Sequence, residues 1–214
     1  MKLGRGIVAC LLAGLLVAAP PMAAPPSPPS ADEDFLAARD AYRLGNAARL
    51  EKLAPRLRGY PLEPYVTYYQ LRLRLEDAQP GEIRRFLDRY SDTLIADNLR
   101  VEWLRNLGKQ EQWDLFSAEL PKAIQVDAEI NCYALKARLR AGDQDALREA
   151  RASWFTGRDL PEACAPLADA LVVEGVVSAE DVWARIRLAL EAGNVSVARR
   201  AAQYLPPAQA LPDK

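Results

Sequence analysis

The side chains available for chemistry in this 214-residue chain are carboxylates, arginines, tyrosines and a few cysteines, because it contains no histidine. That absence removes Ser–His and Cys–His nucleophile pairs, histidine metal sites and the commonest general base together. No glycine-rich phosphate loop occurs, and no G-x-S-x-G segment. Acid–base chemistry of the glycosidase kind needs a carboxyl group held in apolar surroundings. Glu63, Glu102 and Glu174, each flanked by apolar neighbours, are the candidates. Glutamate at such positions is far more often a solvated helix face or a cap, so no catalytic residue is assigned.

Binding chemistry is better represented. In YPLEPYVTYYQLRLRL (60–75), helical spacing puts Tyr65 with Tyr69 on one face and Tyr68 with Arg72 on another. Such rings could line a carbohydrate groove, or fill the seam between packed helices. Arg72, Arg74, Arg84, Arg85 and Arg89 could form a basic patch for an anionic polymer, or lie on solvated faces in short-range ion pairs. Formal net charge is −1, so nothing global favours nucleic acid or an anionic membrane. Cys132 and Cys164, without histidine, do not make a zinc site. No cofactor and no metal is expected.

These side chains must be positioned by helices. From Asp32 onward the apolar residues keep helical spacing, and no stretch alternates with period two. Helices are expected over 33–44, over a second segment after Asn46 that Pro55 kinks or ends, and from Pro64 to about 75. Others are expected over 81–90, 94–107, 110–120, 127–141, 143–155, 161–173 and 179–192, and from Asn194 to about 205. Ser178 with Asp181 reads as a capping box. One phrase recurs four times: RLGNAARLEKL (43–53), NLGKQEQWDLF (106–116), RAGDQDALREA (140–150) and EAGNVSVARRA (191–201). Its glycines, Gly45, Gly108, Gly142 and Gly193, suit the left-handed residue that ends a helix. Asn46, Asp143 and Asn194 then suit the cap of the next helix. Places eight and eleven, Leu50/Leu53, Trp113/Phe116, Leu147/Ala150 and Ala198/Ala201, share a face that packs back on the preceding helix. The fold class is therefore all-α, a right-handed α-superhelix of stacked helical hairpins, tetratricopeptide-like.

The chain divides into four segments. Residues 1–24 read as a signal peptide: Lys2 and Arg5, then the apolar run IVACLLAGLLVAA (7–19), too short for a comfortable membrane span, with cleavage expected after Ala24. An uncleaved anchor is the alternative, and Cys10 precedes most of the apolar run, unlike a lipobox cysteine. Residues 25–31 form a Pro-rich spacer, 32–205 the helical domain, and 206–214 a tail at an apparently truncated end. With Cys10 removed, Cys132 and Cys164 remain. Export makes a disulfide the default for an even remainder, with two buried thiols as the alternative.

Three segments carry a resemblance. They are INCYALKARLRAG (130–142), ASWFTGRDLPEACAPL (152–167) and WARIRLALEAGN (183–194), preceded by YPLEPYVTYYQL (60–71). In order, they resemble the N-terminal superhelical, U-shaped region of the soluble lytic murein transglycosylases, over about 32–205. The resemblance implies a periplasmic protein, a Cys132–Cys164 disulfide and peptidoglycan glycan strands as partners. In that family a lysozyme-like C-terminal domain cleaves the strand to a 1,6-anhydro end. Its catalytic Glu–Ser pair and G-L-M-Q segment are absent here. No catalytic residue is carried over, and the implied role is a non-catalytic scaffold or guide working with that domain. The other reading is a standalone exported helical-repeat scaffold. An exposed apolar stripe on the last helix (Val197, Ala198, Ala201, Ala202, Leu205) would mark a face awaiting further helices.

Overall fold

A computed structural model describes residues 30–209. The expected signal peptide, all but the end of the spacer, and most of the tail lie outside the described residues. Within them the chain forms eleven α-helices and no strand. They are α1 (Ala31–Arg43), α2 (Ala47–Leu53), α3 (Glu63–Leu73), α4 (Pro80–Arg89), α5 (Leu94–Lys109) and α6 (Trp113–Glu119). The remainder are α7 (Ala128–Arg140), α8 (Asp145–Trp154), α9 (Ala165–Val173), α10 (Ala179–Glu191) and α11 (Val195–Ala202).

Local chemistry sets most boundaries. Ser30 and Glu33 form a reciprocal capping box at the start of α1, as Ser178 and Asp181 do at α10. Pro55 converts the end of the α2 segment into a 3₁₀ turn, Ala54–Leu57, because a proline cannot continue the i→i−4 ladder. Pro64 and Pro80 sit in the first turns of α3 and α4, where a missing N–H costs nothing.

Consecutive helices pair as antiparallel hairpins: α1 with α2, α5 with α6, α7 with α8, α10 with α11. The odd-numbered helices also pack in series, α1 on α3, α3 on α5, α5 on α7 and α7 on α9, which is the spine of a helical superhelix. The core accordingly comes in three successive pieces. Ala38, Ala41, Leu50, Leu57 and Val66 fill the first. Leu71, Ile83, Phe86, Leu99, Trp103, Leu104, Phe116 and Ile130 lead the second. Leu147, Trp154, Leu167, Leu171, Ile186 and Val197 lead the third. On the last helix and just after it, Val197, Ala198, Ala201 and Leu205 are buried in that third core and Ala202 is half-buried, so these five residues form no exposed stripe.

The corners need one correction. Gly45, Gly142 and Gly193 have φ of +66°, +90° and +73°, and the residue after each donates its N–H back to Ala41, Arg138 and Ala189 respectively. Gly108 does not share this role. It lies inside α5, and the left-handed position is taken three residues later by Glu111 (φ 56°), with Gln112 donating to the Leu107 carbonyl. Gly108 is there for another reason: a Cβ on it would stand 2.5 Å from Cδ2 of the Tyr133 ring on α7. Aligned on Glu111, the paired positions of the second corner become Phe116 and Glu119, in place of Trp113 and Phe116. The caps also differ. Asn46 accepts from the Arg49 N–H, and Asp143 from the Asp145 N–H one residue ahead of the true cap, Gln144. Asn194 makes no such bond to α11 and instead donates to the Gly157 carbonyl at 2.7 Å.

Candidate functional site

The three carboxylates singled out by sequence are spent elsewhere or open to water. Glu63, at the start of α3, accepts the Gly59 N–H at 2.7 Å and braces that turn. Glu102 on α5 is bonded by Arg72 Nη2 at 2.7 Å, with Arg105 at 3.9 Å. Glu174 is exposed at the end of α9. None is an acid in an apolar cavity, and the three lie on different helices.

The tyrosine-rich stretch forms a seam. Tyr42 of α1 stacks on Tyr69 of α3 with centroids 4.4 Å apart. Arg72 donates to the Tyr42 hydroxyl at 2.5 Å and to Tyr68 at 3.3 Å while holding Glu102, so one guanidinium joins α1, α3 and α5. Burial pulls the pKa of Arg72 down, but the nearby Tyr68 and Tyr42 phenols and Glu102 outweigh it, so the guanidinium stands above its ordinary value. Only Tyr65 keeps a substantially exposed ring. Of the five arginines, Arg74, Arg85 and Arg89 line one groove of about 520 Å³ together with Glu63 and Glu82, while Arg72 and Arg84 are held elsewhere. Arg74 pairs with Glu82, Arg84 with Glu119, while Arg89 lies over the Tyr90 ring.

Glu119 is the residue that sequence reasoning missed. It is 1% exposed, in the place where the other corners set the half-buried Leu53 and the buried Ala150 and Ala201. Arg84 Nε donates to it at 2.9 Å, Arg100 Nη1 at 2.6 Å and Lys122 Nζ at 3.1 Å. Burial pushes its pKa up, but the bonds from Arg84 and Lys122 and the charges of Lys122 and Arg100 outweigh this and hold it below the usual carboxylate range. A carboxylate kept ionised in this way locks helices together and is unsuited to donate a proton. Registering the second corner on Glu111 would have exposed it.

A third arrangement surrounds α8 and α10. Trp154 donates its indole N–H to the Asp181 carbonyl at 3.0 Å, and Arg185 lies over the Trp154 ring with Cζ 4.8 Å from the centroid. Gly157 passes so close to α10 that a Cβ would stand 2.8 Å from the Leu188 carbonyl carbon. Asn194 caps the Gly157 carbonyl, and Cys132 on α7 is bonded to Cys164 ahead of α9, with Sγ atoms 2.00 Å apart. Trp154, Gly157, Pro161 and Cys164, with Arg185, Gly193 and Asn194, are thus brought to one junction of α7, α8, α9 and α10. A cleft of about 260 Å³ opens beside it, lined by Trp154, Pro161, Ala168, Arg185, Val197 and Tyr204 among others.

No family model matches the chain. Soluble lytic murein transglycosylases of Escherichia coli K12 and Salmonella typhimurium are 28% and 27% identical to it over 161 residues, 73% of this chain and 24% of theirs. An inactive variant of lytic transglycosylase Slt from Pseudomonas aeruginosa superposes with a TM-score of 0.67 at 32% identity, over 81% of this chain and 28% of that one. The chain resembles the soluble lytic murein transglycosylases. The 70-kDa soluble lytic transglycosylase of Escherichia coli agrees, with a TM-score of 0.68 at 26% identity over 83% of this chain and 29% of that one. The chain therefore spans about a quarter of the length of the transglycosylases it matches. Among the described residues no helix is long and apolar enough to cross a membrane.

Proposed function

We infer that this chain is a scaffold region of a periplasmic murein-processing protein, and that it holds or guides glycan strands while a lysozyme-like catalytic domain cleaves them. The observation that carries this reading is the likeness to the soluble lytic murein transglycosylases over most of the chain, in a frame whose most deeply buried carboxylate among the described residues, Glu119, is consumed by three cations. Residues 1–24 serve as the export signal, 25–31 as spacer and 32–205 as the helical domain. The Cys132–Cys164 pair stands oxidised in the exported protein. The expected partners are peptidoglycan strands and the catalytic domain, with no nucleic acid and no integral membrane span after signal cleavage.

The test uses the exported chain and purified murein sacculi. The chain sediments with sacculi, and it releases no anhydro-muropeptides above a buffer blank. Release would overturn the non-catalytic assignment, and failure to sediment would overturn the strand-guiding one.

A further inference from the structure

The cleft between the α8–α9 connection and the α10–α11 hairpin contains a cation with no anion at pairing distance among the described residues. Arg185 is 8% exposed, and its hydrogen bond to the described residues runs from Nη1 to the Trp154 carbonyl at 3.2 Å. It forms no ion pair with a described residue. Asp159 acts on it only from beyond pairing distance and is itself held by Arg200 at 2.5 Å. Glu162 is exposed at the rim. Asp169 accepts the Tyr204 hydroxyl at 2.6 Å; burial and that bond raise the phenol to about 12, so Tyr204 stays neutral. A guanidinium this deep is ordinarily paired, because desolvation penalises an isolated ion. Burial pulls the pKa of Arg185 below its ordinary value, a shift that a facing carboxylate would oppose.

The walls select what can accompany the anion. Leu160, Pro161, Ala165, Ala168 and Val197 give small apolar surfaces around about 260 Å³. One unpaired guanidinium, with Arg200 already engaged, suits a monoanion better than a phosphate dianion. We propose that this cleft binds the terminal carboxylate of a short peptide ending in alanine, with Arg185 receiving the carboxylate and the apolar walls the methyl groups. The choice of alanine rests on the murein reading, since murein stem peptides end in it. The preference for a carboxylate rests on the cleft alone.

Calorimetric titration of the full chain with N-acetyl-D-alanyl-D-alanine, its C-terminal amide and sodium acetate tests this. The acid binds with a Kd of about 1 mM or tighter. The amide binds at least about ten-fold more weakly, because one charge-assisted contact is lost. Acetate also binds at least about ten-fold more weakly, because it leaves the walls unfilled. Ala168→Leu fills the cleft and abolishes binding while the melting temperature stays near that of the parent; Arg185→Gln abolishes it as well. Absence of binding by the acid, equal binding of acid and amide, or binding that survives Ala168→Leu would overturn the site. Acetate as strong as the dipeptide would overturn the peptide class. Dipeptide binding by a chain that does not sediment with sacculi would leave the cleft intact and remove the strand-guiding reading.

Discussion

Glu119 is a carboxylate buried where α4, α5 and α6 meet. A carboxylate with 1% exposure is tolerable only because Arg84, Arg100 and Lys122 all reach it. Glu119→Gln keeps the shape and removes the charge, leaving Arg100, whose side chain is 11% exposed, without its partner. We expect a loss of about 3 kcal/mol at neutral pH, read by urea unfolding. The pH dependence has a definite sign. A folded pKa held below the unfolded value means stability that is fully present above about pH 4.3 and is lost as pH falls through the folded value. The gap between parent and Glu119→Gln should therefore be flat near neutrality and shrink in acid. A gap that stays constant into acid would show that the ion cluster is not its source.

At the scale of elements, the corners obey one backbone rule with more than one residue type. Four of the five positive-φ glycines, at 45, 142, 175 and 193, follow helix ends, and Glu111 serves a fifth such corner at φ 56°. A side chain in that region is strained, so Glu111→Gly should raise the melting temperature despite losing the Lys136 contact. The glycines inside the packing behave oppositely. Gly157→Ala would press a Cβ against the Leu188 backbone, which cannot rotate away, and should cost about 2–3 kcal/mol. Gly108→Ala meets a ring that can shift and should cost less, about 1–2 kcal/mol. Gly193→Ala meets open space and should cost only its backbone strain, about 1 kcal/mol. Thermal melts of the three variants check the order; a Gly157→Ala no worse than Gly193→Ala would contradict close helix packing.

Across the whole molecule, three cores in series imply that stability is passed between neighbours and is not uniform. The Cys132–Cys164 bond closes a loop of 32 positions joining α7 to the start of α9. Its reduction should cost about 3–4 kcal/mol on chain-entropy grounds. That loss should appear first as faster hydrogen exchange in α7–α11, with α1–α3 little changed. Equal acceleration throughout would mean that the chain opens as one unit. Intact mass gives a simpler check on the bond: the oxidised protein is about 2 Da lighter than the reduced one, the mass of two hydrogens.

Helix content, the hairpin scheme, the capping box at Ser178 and the interruption at Pro55 were legible in the sequence, because each depends on periodicity or on one residue's backbone chemistry. The resemblance was legible too, since it rests on the order of residue types. What periodicity could not reveal was which neighbour each residue meets. Gly108 looks like a corner glycine by spacing, yet its role comes from a tyrosine on α7, 25 positions away. Glu119 reads as a surface carboxylate until three cations from α4, α5 and the turn after α6 converge on it. Arg185 reads as a helix-face arginine until packing buries it over Trp154. Local sequence set where helices begin and end; burial, and with it every charge's partner, arose only when the helices stacked, because desolvation depends on neighbours remote in the chain.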